Sequence, residues 1–242
     1  MRTYPVMARN RLLAAWPAAN ALGFALCVGW LGTHLSSLAD AVSLATLPMW
    51  SMLCVGLVWG VLQWLVLRHW LGIISLWWIG ASACGWLLSL PLVTMALGAM
   101  PRSTQDMLSF ATELGWGGPV AWRMILGYFA GSMILAFFGM FAGLFMVLPQ
   151  CLGLLMSGRT RGWAGSWLGN AVWGWTSGIV LTGCGLMLVL AFLEAVFGGA
   201  LLLPTWLIFA SLGAGTGLLY GLFTQFELID YAQRRSLSLV HE

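Results

Sequence analysis

Residues 56–86 read GLVWGVLQWLVLRHWLGIISLWWIGASACGW. In the first half Gly56, Gly60 and Gln63 fall on one helical face, because residues three, four and seven apart stack along a helix. Arg68 and His69 then interrupt the apolar run. The second half opens on Trp77-Trp78 and presents Ser82, Gly85 and Ser89 below Trp78 at the same helical spacing, with Trp86 beside Gly85. Two apolar segments joined by a short basic turn make a membrane hairpin.

Both halves recur. The tryptophan half reads Trp, six residues, Gly, aromatic: Trp16…Gly23-Phe24, Trp78…Gly85-Trp86 and Trp167…Gly174-Trp175. The glycine half reads Gly56/Gly60/Gln63, Gly139/Gly143…Gln150 and Gly217/Gly221…Gln225. The halves alternate along the chain, but a tryptophan half opens it and a glycine half closes it. Pairing each glycine helix with the tryptophan helix after it gives two complete hairpins. The third must join the C-terminal helix to the N-terminal one. The expected fold is all-α: six transmembrane helices, as three pseudo-repeated hairpins in a closed ring.

Composition agrees with a membrane setting. Hydrophobic residues make up 61% of the 242 residues, charged residues 7%, and mean hydropathy is +0.93. A soluble domain carries roughly a quarter charged residues, so this chain cannot clothe a water-facing surface. About twenty apolar residues cross the hydrocarbon core as a helix. Spans are expected near 12–33, 47–67, 73–98, 124–148, 163–193 and 201–226, within a single transmembrane domain over 1–242. The N-terminal apolar run is longer than a usual signal-peptide core and contains a copy of the repeat, so it is read as the first span.

The ten basic residues are all arginines, and eight of them (Arg2, Arg9, Arg11, Arg68, Arg159, Arg161, Arg234, Arg235) fall on one side of a six-span arrangement. Arg102 and Arg123 fall on the other. The positive-inside rule puts both termini in the cytoplasm. The formal net charge of +3 is thus a topology signal and not a nucleic-acid footprint.

On the tryptophan helices the stripe at 0, +4, +7 and +11 is Trp16, Asn20, Gly23, Cys27; Trp78, Ser82, Gly85, Ser89; and Trp167, Ala171, Gly174, Gly178. Small residues of this kind let helix backbones approach closely in a bilayer. Gly56, Gly60, Gly85, Gly139, Gly143, Gly174, Gly217 and Gly221 are therefore the expected packing residues. Gln63 with Trp78 and Gln150 with Trp167 flank cytoplasmic turns at similar depth, and ring closure would set Gln225 opposite Trp16. An indole N–H donating to an amide oxygen would clamp each hairpin; the alternative is three amides lining a ligand vestibule.

Of the sixteen tryptophans, Trp16, Trp70, Trp77, Trp78, Trp163 and Trp206 lie near span ends, where aromatic belts form. Trp50, Trp59, Trp86, Trp173 and Trp175 sit deeper and are candidates, with the three glutamines, for holding an apolar ligand: lipid, quinone, carotenoid or chlorophyll. Cys27, Cys54, Cys84, Cys151 and Cys184 show no metal-ligand spacing and read as packing residues. Glu194 is the main ionisable candidate within a span, near its outer end. His34 and Asp40 fall in the first outer loop and His69 at a cytoplasmic turn. The outer loop 99–122 has helical spacing at Met107, Leu108, Ala111 and Leu114, as an interfacial helix would. No catalytic motif is present, so the chain is read as non-enzymatic.

The string Gly56-x-x-x-Gly60-x-x-Gln63-Trp64-x-x-Leu67-Arg68, followed by Trp77-Trp78-x-x-Ala81-Ser82-x-x-Gly85-Trp86, resembles a group of uncharacterised bacterial multi-pass proteins found in cyanobacteria and Chloroflexi. The match is close over residues 56–86, with Gln150 displaced by one turn and Gln225 by one residue. The resemblance implies a bacterial cytoplasmic or photosynthetic membrane and a multi-pass architecture, with no activity attached. Mitochondrial carriers also have three two-helix repeats, but their proline–acid–base signature is missing here. Six helices and Ala15-x-x-x-Ala19 somewhat resemble the substrate-binding components of vitamin transporters. Two functions follow as expectations: a non-catalytic subunit or scaffold packing against lipids and other integral subunits of a photosynthetic or respiratory assembly, or a small-molecule carrier component.

Overall fold

The computed structural model describes residues 6–33, 49–71, 75–89, 91–92, 120–156, 163–197 and 204–238, and these residues form six helices. They are α1 (Val6–Thr33), α2 (Met49–Leu71), α3 (77–89), α4 (Val120–Met156), α5 (Ala164–Phe197) and α6 (Thr205–Ser238). Four are long and apolar enough to cross a membrane, over Asn10–Thr33, Trp50–Leu71, Gly139–Met156 and Trp206–Tyr231.

The helices turn apolar side chains outward and polar ones inward. Leu22, Leu26, Leu57, Val58, Leu181, Leu188 and Phe226 are exposed, whereas Asn20, Ser51, Gln63, Ser82, Ser89, Gln150, Thr216 and Thr224 are buried. In water this would expose an untenable apolar surface. In hydrocarbon it is the favoured arrangement, because polar groups there must find partners within the protein.

Several helices outrun the expected spans. At the C-terminus α6 continues to Ser238 rather than ending near 226. The longest helix, α4, has 37 residues and runs through Pro149 instead of stopping before it. At 1.5 Å per residue α4 is about 55 Å long, against a hydrocarbon core of about 30 Å. Hydropathy marks only the buried length, so turns beyond it were not legible. Pro149 and Pro17 lie inside helices, where each removes one backbone N–H; packing of both residues against neighbours makes this tolerable. Loop residues 99–119, His34, Asp40, Arg2, Arg102, Arg159 and Arg161 lie outside the described residues, as do the side chains of Arg123 and Glu194.

Close approach happens at glycines. A methyl group added at Gly56 would lie 2.6 Å from Ala83 Cα, and one at Gly60 would lie 3.1 Å from Ile79 Cα, so α2 and α3 touch backbone to backbone. Gly85 of α3 sits on the backbone of Met146 in α4. Gly174 and Gly178 of α5 meet Tyr220 and Thr216 of α6 at 3.0 Å and 2.8 Å by the same measure. Gly217 of α6 sits on Asn20 of α1, and Gly221 meets Pro17 Cα at 2.5 Å. Gly23 of α1 faces Trp59 of α2. Between α4 and α5, Gly143 faces the indole of Trp175, and Gly139 reaches only the tip of Ile179 at 3.5 Å.

Candidate functional site

Asn20 is the hub of a buried polar layer. It lies one turn beyond Trp16 on α1, and its Nδ2 donates to the Trp16 carbonyl at 2.9 Å. Its Oδ1 accepts from Trp59 Nε1 at 2.9 Å and from Gln63 Nε2 at 2.7 Å, tying α1 to α2. Gln63 Oε1 in turn accepts from Trp78 Nε1 of α3 at 2.9 Å and from Gln150 Nε2 of α4 at 3.2 Å. Gln150 Nε2 also donates to Ser82 Oγ at 2.9 Å, and that hydroxyl donates to the Trp78 carbonyl at 2.8 Å. Four helices are thus joined through one chain of amides, indoles and a hydroxyl, and Asn20, Gln63, Ser82 and Gln150 are fully buried.

Beside this layer Trp16, Trp78 and Trp167 converge. The Trp167 ring packs edge-on against Trp16 at 5.9 Å and against Trp78 at 5.5 Å. Trp163 extends the group, 5.2 Å from Trp167 and stacked on Tyr231 at 4.9 Å. Trp16 Nε1 donates to Thr224 Oγ1 of α6 at 2.8 Å.

Two helical turns further along, Phe24, Trp86 and Trp175, each directly after a glycine, meet each other. Phe24 lies 5.7 Å from Trp86 and 4.9 Å from Trp175, and those two indoles lie 6.1 Å apart. Trp59 and Tyr220 close on the same phenyl ring at 4.9 Å and 6.3 Å. Offset and edge-on contacts at such separations are the favourable aromatic geometries. Phe24, Trp59 and Tyr220 are fully buried.

Of the expected ligand candidates, Trp59, Trp86 and Trp175 come together around Phe24, and Gln63 and Gln150 meet in the polar layer. Trp173 does not join them. It is 67% exposed and faces outward, because it stands one residue, or 100° of helical turn, before the inward Gly174. Trp50 likewise points out. Of the expected clamps, Gln63–Trp78 is present. Trp16 pairs with Thr224 rather than Gln225, since Thr224 continues the Gly217/Gly221 stripe and Gln225 lies just off it. Gln150 bonds to Gln63 and Ser82 rather than to Trp167. The belt reading of Trp16, Trp78 and Trp163 is corrected too: all three are interior, whereas Trp77 and Trp206 are half-exposed.

Three features were missed. Asn20 appeared only as a small stripe residue, and its hub role follows from burial opposite Gln63. Tyr220 occupies on α6 the place of Trp59 on α2, three residues after a packing glycine in each case. Glu227 of α6 accepts from Ser166 Oγ of α5 at 2.7 Å and from Asn170 Nδ2 at 2.6 Å, a carboxylate held by two neutral donors. Serine and asparagine four apart on α5 were the available signal.

Among the described residues seven buried polar atoms have no hydrogen-bond partner: Nε1 of Trp86, Trp163, Trp167 and Trp175, Thr216 Oγ1, Tyr220 Oη and Gln150 Oε1. Among the described residues Cys27, Cys54, Cys84, Cys151 and Cys184 form no disulfide, and Cys27 Sγ donates to the Val55 carbonyl at 3.2 Å. Among the described residues no three His, Cys, Asp or Glu side chains cluster as metal ligands would. The buried polar groups are amides, indoles and hydroxyls, suited to holding helices or neutral ligands in place. No protein-family model, curated protein or solved structure matches the chain.

Proposed function

We propose that the chain is a non-catalytic membrane scaffold: six spans closed into a ring by contact of α6 with α1, both termini cytoplasmic, and an apolar exterior packed against other integral subunits. The aromatic packing around Phe24 is the observation that carries this reading. A carrier for polar solutes needs hydrogen-bonding groups along its path, and here the middle of the bundle is taken by Phe24, Trp59, Trp86, Trp175 and Tyr220 in mutual contact. The polar layer beside it binds helices to one another.

The ring reading draws support from equivalent positions meeting equivalent neighbours. Gly23, Gly85 and Gly174 lie against Trp59, Met146 and Tyr220, each three residues past Gly56, Gly143 and Gly217. Gly56 and Gly217 lie against Ser82 and Asn20, each four residues past a repeat tryptophan. A three-fold repeat closed through the termini gives this pattern, and an open row of helices would not unite residue 221 with residue 17. Lipid is the apolar ligand favoured over quinone, carotenoid or chlorophyll, since the deep tryptophans contact one another and the exposed ones face outward.

The test is isolation from the native membrane in mild detergent, followed by native mass spectrometry and flux measurements in proteoliposomes. A stoichiometric complex with other integral subunits, and vesicles no leakier than controls, is the expected result. A lone chain that moves a solute in a saturable way would overturn the reading in favour of a carrier.

A further inference from the structure

We propose that the seam between α4 and α5 holds a hydroxyl group, supplied by a trapped water or by a hydroxyl-bearing lipid, that accepts from Trp167 Nε1–H and donates to Gln150 Oε1. In two of the three hairpins the repeat tryptophan bonds directly across the interface: Trp78 to Gln63 at 2.9 Å and Trp16 to Thr224 at 2.8 Å. In the third, Trp167 and Gln150 are both fully buried, and the indole N–H and the amide oxygen are both without a partner. The two lie in one neighbourhood. Trp78 packs its ring on Trp167 and donates to the same Gln63 oxygen that accepts from Gln150.

Reversing the Gln150 amide does not remove the mismatch. Its nitrogen donates to Gln63 Oε1 at 3.2 Å and Ser82 Oγ at 2.9 Å, and exchanging the two ends would set one amide oxygen against another. The orientation is therefore fixed by the network, and Oε1 must look elsewhere. The seam also differs from its counterparts. Gly143 is held off α5 by the Trp175 ring and Gly139 touches only Ile179, whereas Gly56 and Gly221 meet backbone atoms of their neighbours.

The two unpartnered atoms define the chemistry of the guest. To serve both atoms it must accept one hydrogen bond and donate another. A carbonyl can only accept and an ammonium can only donate. A hydroxyl does both, and buried waters in proteins satisfy polar groups of this kind. The inference rests on the equivalence of the three hairpins in the proposed ring, but it concerns the isolated chain and does not depend on partner subunits.

Indole-15N-labelled full-length protein in nanodiscs of acyl-deuterated phosphatidylglycerol provides the test. Trp167→Phe, which keeps an aromatic ring and deletes the N–H, assigns the Trp167 indole signal. The expected result is a dipolar cross-peak from the Trp167 indole proton to water or to lipid glycerol protons, with the Trp78 indole proton showing neither. A water cross-peak names water as the source, and a glycerol cross-peak names lipid. Solvent extraction of wild-type protein followed by mass spectrometry separates the sources without any variant, since a lipid guest would be retained at about one per chain. A Trp167 indole proton as isolated as that of Trp78, with no retained lipid, would overturn the proposal.

Discussion

Gln63→Leu removes the side chain on which α1, α2, α3 and α4 converge. Three hydrogen bonds disappear, to Asn20 at 2.7 Å, from Trp78 at 2.9 Å and from Gln150 at 3.2 Å. The survivors differ in what they keep. Asn20 Oδ1 retains Trp59, and Gln150 Nε2 retains Ser82. Trp78 Nε1 keeps nothing, so one buried donor is orphaned. Interhelical hydrogen bonds in membranes contribute about 0.6 kcal/mol each on average, which gives about 2 kcal/mol for three. An orphaned buried donor costs about 1–3 kcal/mol more. The expected destabilisation is therefore about 3–5 kcal/mol, measured by reversible unfolding in bicelles. Adding Trp78→Phe deletes the orphan itself, so the double variant should recover about 1–3 kcal/mol of the loss. A Gln63→Leu variant within about 0.5 kcal/mol of wild type would refute the reasoning, as would two substitutions whose costs simply add.

The remaining expectations use the same unfolding assay or a topology assay. Gly56→Ala drives a methyl to 2.6 Å from Ala83 Cα and should cost about 1–3 kcal/mol. Gly169→Ala meets nothing within 4 Å and should gain up to about 1 kcal/mol from helix propensity. Phe24→Ala removes the ring on which four other aromatics close and should cost about 3–5 kcal/mol. Reporter fusions after residue 242 and within the 99–119 loop should report opposite compartments, and the same compartment for both would contradict the six-span topology.

Much of the helical skeleton was legible because hydropathy and small-residue spacing are local signals. Asn20, Ser82 and Ala171 are buried, and a methyl at Gly56, Gly85, Gly174, Gly217 or Gly221 would meet the backbone of a neighbouring helix. Register along a helix was less accessible. Whether Thr224 or Gln225 meets Trp16 turns on 100° of helical phase, and the glutamine drew attention by chemistry while the threonine held the right angle. Amide networks were harder still. Gln150 lies at the depth expected for Trp167, yet its nitrogen is claimed by Gln63 and Ser82, a competition visible only once α2, α3 and α4 are side by side. Trp16, Trp78 and Trp163 looked interfacial because depth can be read from the sequence, whereas inward or outward facing depends on which neighbour the helix has.

Contact between α6 and α1 is the feature on which the closed ring depends, and a cysteine pair tests it most directly. With Cys27, Cys54, Cys84, Cys151 and Cys184 replaced, Pro17→Cys and Gly221→Cys are introduced together. A Cβ at residue 221 would lie 3.1 Å from Pro17 Cβ, close to the roughly 3.5–4.5 Å that a disulfide spans. A protease site placed in the 99–119 loop separates α1–α3 from α4–α6 after oxidation in the membrane. The expected result is two fragments that stay joined until a reductant is added. Fragments that part without reductant, while both thiols remain open to maleimide, would contradict the ring.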